Sequence, residues 1–329
     1  MKFVEGIVAQ PQSLLASAEN VRRSLGAVRP LESGALVALI GIGASEHVSR
    51  SAAAAWRALG VRAVAVSAAE LQGSELALAD VYVAMSESGR SAETVAALRG
   101  APGRRVGITN DPDAPLGAVV DEVIPLGSGP DSPIYTTGYT ATLQAIGLLG
   151  EHWGGTSSDW AVLPEQVAQV TEQSSKVVAA LADTFEQARI IDVVASGTSS
   201  ATAGEGALMM RESARLHTGS HETFNYLHGP MEAVDAQAAS IVIGSGRELR
   251  LAQELAGLGC PTLLITTSHE IEDADHLTVV RLPKPPSALA CAVLEILPLQ
   301  LLAAEVVSMR GLRADGFRYH QDDIKLDGR

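Results

Sequence analysis

The chain has 329 residues, 47% of them apolar, which suits one large or two medium domains; aromatics are only 4%, so the cores must be built from Ala, Val, Leu and Ile. Against 24 Lys and Arg stand 38 Asp and Glu, a net charge of −14 with no basic run. That balance excludes a nucleic-acid partner and requires any anionic ligand to be held by locally gathered donors. Cys260 and Cys291 lack CxxC or metal-ligand spacing and read as small buried hydrophobes in a reducing compartment. The start, Met1-Lys-Phe-Val-Glu-Gly, has no signal-peptide core, and the apolar tract Ala288 to Met309 is broken by Glu295, Pro298 and Glu305. The expectation is a soluble cytoplasmic protein without a membrane span.

Residues 11–30 carry apolar side chains at helical spacing and predict an opening helix. Ala35 to Ser45 reads as a strand running into a glycine turn, followed by an Ala-rich helix to about Leu59 and a strand from Arg62. Gly41-x-Gly43 lacks the third glycine and the acidic residue of a dinucleotide site, so no nucleotide is expected there. Asp80–Met85, Val106–Thr109 and Val119–Pro125 continue a strand–helix–strand alternation, the pattern of an α/β fold with a doubly covered, mostly parallel sheet. The apolar run 81–85 breaks into Ser86-Glu87-Ser88-Gly89-Arg90-Ser91 and then turns helical. Three hydroxyls and free backbone N–H groups at a helix N-terminus form an anion cradle, because the macrodipole favours negative charge there. Equally, Ser91 reads as a helix N-cap and Gly89 as a tight turn.

Asp131 to Thr140 leads into a long helix, with Thr136 placed to cap it, then a turn at Trp153–Asp159 and a helix from about Pro164 to Phe185. Beyond these the first unit recurs. Val37 to Ser45 is matched by Ile191 to Ser199 at an offset of 154, and Ser88-Gly-Arg90 and Val106–Thr109 by Ser245-Gly-Arg247 and Leu263–Thr266 at 157. Three landmarks in one order predict two copies of one α/β domain: a helical segment 1–34, a first domain 35–150, linker helices 151–186, a second domain 187–312 and a tail 313–329. In the second copy Ser86 falls on Ile243, or on Gly244 with a one-residue shift, and Ser91 falls on Glu248. A carboxylate there repels phosphate, so only the first copy is expected to keep an anion site.

The second copy carries other chemistry. Glu205 and Glu212, seven residues apart on an Ala/Leu/Met-rich helix, share one face; on the packed side such a carboxylate becomes a general base, whereas on the outer side it is merely solvated. His228, in a turn with Gly229-Pro230, suits a proton shuttle near neutral pH or is incidental.

Ser86-x-Ser88-Gly89-x-Ser91 resembles the phosphate loop of the sugar isomerase (SIS) family, Glu5 with Gln10-Pro11 resembles its opening motif, and the segment from Glu205-Gly-Ala-Leu to His228-Gly-Pro is similar to its second domain. The resemblance covers essentially the whole chain and extends to the isomerase half of glucosamine-6-phosphate synthase, to SIS-type aminosugar deaminases and to fructosamine-phosphate deglycases. It implies two tandem SIS domains that act on a phosphosugar or amino-phosphosugar. The base that moves a proton between adjacent sugar carbons falls on Glu212, and the ring-opening histidine falls on His228, contributed across a homodimer interface. Ser45, Ser86, Glu87, Ser88, Ser91 and Thr136 fall on phosphate or sugar ligands. Two family lysines depart: one falls on Met209 and, by gap-free extension, the other on Asp322, with Lys325 or His320 as substitutes in the tail. No metal, flavin or nucleotide is implied, and the expectation is a pair of domains without a glutaminase domain ahead of it. The alternative is a phosphosugar-binding sensor that lost turnover with its lysines.

Overall fold

The computed structural model describes residues 1–73 and 77–327; the last two residues of the predicted tail lie outside it. Its first unit contains β1 (Leu36–Gly41), α2 (Ala44–Ala58), β2 (Arg62–Ser67), α3 (Ala68–Leu71), β3 (Val81–Met85), α4 (Ala92–Gly100), β4 (Arg104–Thr109) and β5 (Glu122–Pro125), preceded by α1 (Phe3–Leu25). Two long helices, α5 (Thr137–Gly154) and α6 (Leu163–Gln187), lead to the second. There β6 (Ile190–Ala195), α7 (Ser200–Ser213), β7 (Thr218–Glu222), α8 (Thr223–Leu227), β8 (Ala238–Ile243), α9 (Arg247–Gly257), β9 (Thr262–Thr266) and β10 (Leu277–Arg281) repeat the pattern, and α10 (Ala288–Met309) closes it.

Each unit is a five-stranded, all-parallel sheet. The orders are β2-β1-β3-β4-β5 and β7-β6-β8-β9-β10, the same winding in both, as the sequence repeat predicts. Strands buried on both faces need continuous apolar runs, and β3 and β8 are buried along their whole length. In this order the chain reverses direction between β1 and β3, so the loops after those two strands flank a crevice at their carboxyl ends, where open α/β sheets bind ligands.

The repeat register resolves in favour of Gly244. Ser86 donates its N–H to the Ile108 carbonyl at 3.1 Å, and its structural counterpart Gly244 donates to Ile265 at 3.0 Å. The second loop is also shorter, running only from 244 to 246 before α9. Glu248 fills it: its carboxylate accepts from Gly246 N–H at 3.3 Å and from Thr223 Oγ1 at 2.6 Å. The protein's own carboxylate thus occupies the donors of the second copy.

The opening helix begins at Phe3, eight residues ahead of the expected start, and ends at Leu25. Pro11 lies inside it, where the ring removes the N–H that would bond the Ile7 carbonyl. Gln10 replaces that donor, giving Nε2 to Ile7 O at 3.1 Å and to Gln300 Oε1 of α10 at 2.8 Å. Helix α10 is apolar and long enough to span a bilayer, but 78% of its most apolar window is buried against the rest of the chain. It is a core helix, as its interrupting Glu295 and Pro298 suggested; Glu295 is buried and bonded to Ser199 Oγ at 2.7 Å and Thr202 Oγ1 at 3.0 Å.

What positions the site is the crossing of α2 over α7. Ser51 of α2 accepts from Ala201 N–H at 2.8 Å and donates to the Thr198 carbonyl. The His47 ring packs where Gly204 has no side chain; a Cβ there would collide with the imidazole. Helix α7 is thereby held with its acidic face over the loops of the first unit.

Candidate functional site

The loop after β3 is built around a left-handed glycine. Gly89 has φ +65° and donates to the Ser86 carbonyl at 2.9 Å, and a Cβ there would lie 2.6 Å from that of Ala114. The turn folds three hydroxyls together. Ser86 Oγ bonds Ser91 Oγ at 3.2 Å, and Arg90 N–H reaches Ser88 Oγ at 3.4 Å. Ser91 precedes α4 but makes no side-chain cap bond, so its hydroxyl is not used as an ordinary N-cap.

The C-terminal tail returns to this loop and pairs with it through one antiparallel bridge, Ser91 with Lys325. Ala92 N–H donates to the Ile324 carbonyl at 3.2 Å and Leu326 N–H to Arg90 at 2.9 Å. Between them Lys325 sets its Nζ 3.2 Å from Ser88 Oγ and 3.4 Å from Ser91 Oγ. Burial lowers the Lys325 pKa, while Glu87 and Glu93 oppose that shift. Gap-free extension put the tail lysine position on Asp322; the fold leaves Asp322 exposed and brings Lys325 to the loop instead. His320, the other tail residue considered, is exposed and outside the cavity.

A cavity of about 230 Å³ joins these parts. Its walls are Ser45 and its neighbours after β1, Glu87 and Ser91 of the loop, Glu93 in the first turn of α4, Pro133 and Tyr135, the α7 face Glu205–Leu208–Glu212, and Phe317, Ile324 and Lys325 of the tail. Ser86 is buried behind Ser91 rather than on the wall. Thr136 is fully buried as the first residue before α5; its Oγ1 donates to Asp131 at 2.6 Å, so the hydroxyl is consumed in holding the helix start. Tyr135, which sequence reasoning missed, lines the cavity in its place. Burial, then the Glu87 carboxylate, raises its phenol well above the ordinary range.

Desolvation raises Glu212 from its ordinary 4.5 to about 7. Glu87 is raised too, by burial and then by Asp131, and Asn110 Nδ2 donates to it at 3.3 Å. Glu205 is buried with Oε2 unpartnered, and burial holds it well above the carboxylate range. Burial thus favours the protonated form of Glu205, beside a Glu212 raised to about 7. Met209, at the lysine position of the resemblance, is fully buried in the core, and Leu208 faces the cavity. His228 is exposed in the turn after α8 and lies outside the cavity within this chain.

The SIS domain family model matches residues 184–310. A glutamine–fructose-6-phosphate aminotransferase [isomerizing] of Gloeobacter violaceus is 29% identical over 260 residues, 71% of this chain and 42% of that protein. The chain therefore spans less than half the length of that relative. Among solved structures, the C-terminal domain of glucosamine-fructose-6-phosphate aminotransferase from Francisella tularensis aligns with TM-score 0.81 and 19% identity, covering 95% of this chain and 97% of its own. Glucosamine-6-phosphate deaminase from Thermotoga maritima aligns with TM-score 0.81 and 19% identity, covering 98% of each. Those structures share the fold of both units, and the direct match places residues 184–310, the second unit, in the SIS domain family.

Proposed function

We propose that this protein is an enzyme acting on a phosphorylated sugar or aminosugar, by isomerisation, deamination or deglycation. The observation that carries the reading is one cavity walled on one side by Ser91 and Lys325 and on the other by Glu212, whose carboxyl titrates near 7. Lys325, the Ser88 and Ser91 hydroxyls and the N-terminus of α4 hold the phosphate. Glu212 moves a proton between the carbonyl carbon and the carbon next to it, and Tyr135 and, in its protonated form, Glu205 donate to the sugar oxygens. All three reactions pass through an enediol or enaminol that needs one such base. His228 opens the sugar ring from a second copy of the chain, which makes the working form a homodimer.

The test is thermal shift of the purified protein against fructose 6-phosphate, glucosamine 6-phosphate, fructosamine phosphates and their unphosphorylated forms. A ligand at about 100 times its Kd adds roughly 2.7 kcal/mol of stability. A shift with a phosphosugar that vanishes in Ser88→Asp supports the reading, and turnover of the same compound separates an enzyme from a sensor. No shift with any phosphosugar overturns it.

A further inference from the structure

Behind Glu205 the ionisable groups continue into the core. Tyr139 of α5 and Glu295 of α10 are each only 3% exposed, and neither belongs to the cavity walls. Helix α10 lies against α7, where Gly206 leaves room for Leu299, and against α5, where Leu289 adjoins Gly147. Glu295 Oε2 accepts from Thr202 Oγ1 at 3.0 Å, and Thr202 lies one turn before Glu205 on α7. Tyr139 stands close enough to both carboxyls that, after burial, Glu205 and then Glu295 push its phenol up. Tyr139 Oη and Glu205 Oε2 have no hydrogen-bond partner among the described residues. Buried oxygens are ordinarily paired, so two left unpaired within electrostatic reach of each other mark a bond made directly or through one water. At the far end Glu295 Oε1 accepts from Ser199 Oγ at 2.7 Å, and Ser199 is half-buried in the loop after β6. Burial raises Glu295, as it does Glu205, against the bonds from Ser199, Cys291 and Thr202.

We propose that Tyr139 is a positioning residue that links Glu205 to Glu295, so that the three form one buried proton path from the cavity to Ser199. Hydroxyls suit such a path because each can donate and accept at once. Glu205 gives its proton to a sugar oxygen; the Tyr139 hydroxyl passes its own proton to Glu205 Oε2 and takes the one held by Glu295. When the neighbouring sugar hydroxyl is deprotonated, the transfers run in reverse. Every group then ends a turnover with the protons it began with, and no oxidant or reductant enters. The catalytic use of the path rests on the phosphosugar reading given above, whereas the link between the three side chains does not.

The link is read without substrate, from the infrared carbonyl stretch of protonated carboxyls in the full chain, with Glu205→Gln and Glu295→Gln assigning the bands. The expected result is that Tyr139→Phe, which keeps the ring, shifts the Glu205 band, because that carboxyl loses its partner. A Glu205 band unmoved by Tyr139→Phe, or no band lost in Glu205→Gln, overturns the link. With a phosphosugar that is turned over, Tyr139→Phe and Glu295→Gln should each lower kcat about tenfold with KM unchanged. The double variant should lose no more than either single one, as expected of groups on one path. Losses that multiply, or an unchanged kcat in Tyr139→Phe, overturn the path. Ser199→Ala, at the half-buried end, takes the place of Glu295→Gln if that variant does not fold. A shifted band in a protein that binds no phosphosugar counts against the phosphosugar reading and not against the link.

Discussion

Lys325 Nζ lies 3.2 Å from Ser88 Oγ although 237 residues separate them in the chain. That contact makes the C-terminal tail part of the proposed anion cradle. Replacing Lys325 with Met keeps the length of the side chain and removes the charge. The expected outcome is a loss of phosphosugar affinity of tenfold or more, measured by calorimetry, with the melting temperature of the free protein nearly unchanged. The charge-assisted bonds to a phosphate are worth more than the present bonds to two neutral hydroxyls.

The raised Glu212 carboxyl sets a pH dependence of stability. Its folded pKa, about 7, is above the ordinary 4.5, so the folded state binds the extra proton and the unfolded state does not. The contribution of this group is therefore fully present below about 4.5 and is lost as pH rises through about 7. Glu212→Gln should flatten the fall in stability over that window, read from urea midpoints at several pH values. For activity the sign is opposite. A base must be ionised, so turnover should rise with pH through about 7 in the wild type and be absent in Glu212→Gln at every pH.

Gly89→Ala adds a methyl group at φ +65°, 2.6 Å from Ala114 Cβ and 2.9 Å from Thr109 Oγ1. The strain and overlap should destabilise the fold by about 1–3 kcal/mol and open the Ser86–Ser91 cluster. Denaturant unfolding reads the first effect, and phosphosugar titration reads the second as weakened binding.

Gln10→Leu deprives the Ile7 carbonyl of its substitute donor inside α1. A cost of about 1–3 kcal/mol is expected, as for other buried polar groups left unpaired. Pro11→Ala restores a backbone N–H to the same carbonyl, so the double variant should recover part of the loss. A double-mutant cycle on unfolding free energy measures that recovery.

The parallel sheets were legible because β1, β3, β6 and β8 are apolar runs that end at glycine or serine, and because their order repeats at a nearly constant offset. The turn that gathers Ser86, Ser88 and Ser91 was legible for a related reason: Gly89 and a run of hydroxyls stand between an apolar run and a helix. Long-range placement was not. Nothing in Asp322-Asp-Ile-Lys325 signals that the fourth residue pairs with a loop in the first unit, since the contact has no periodicity and depends on where α10 ends. Thr136 looked available, yet its hydroxyl is taken by Asp131, and the adjacent Tyr135 gave no pattern of its own. The start of α1 was misread because proline ordinarily marks a helix boundary, and only the fold shows Gln10 supplying the missing donor.

The most direct measurement follows solvent deuterium into the sugar by NMR, with the purified protein in D₂O and the phosphosugar that gives the largest thermal shift. The account predicts that wild-type protein exchanges the hydrogen on the carbon next to the carbonyl, and that Glu212→Gln binds the same compound without exchanging it. Exchange that continues at the wild-type rate in Glu212→Gln would contradict the assignment of Glu212 as the base.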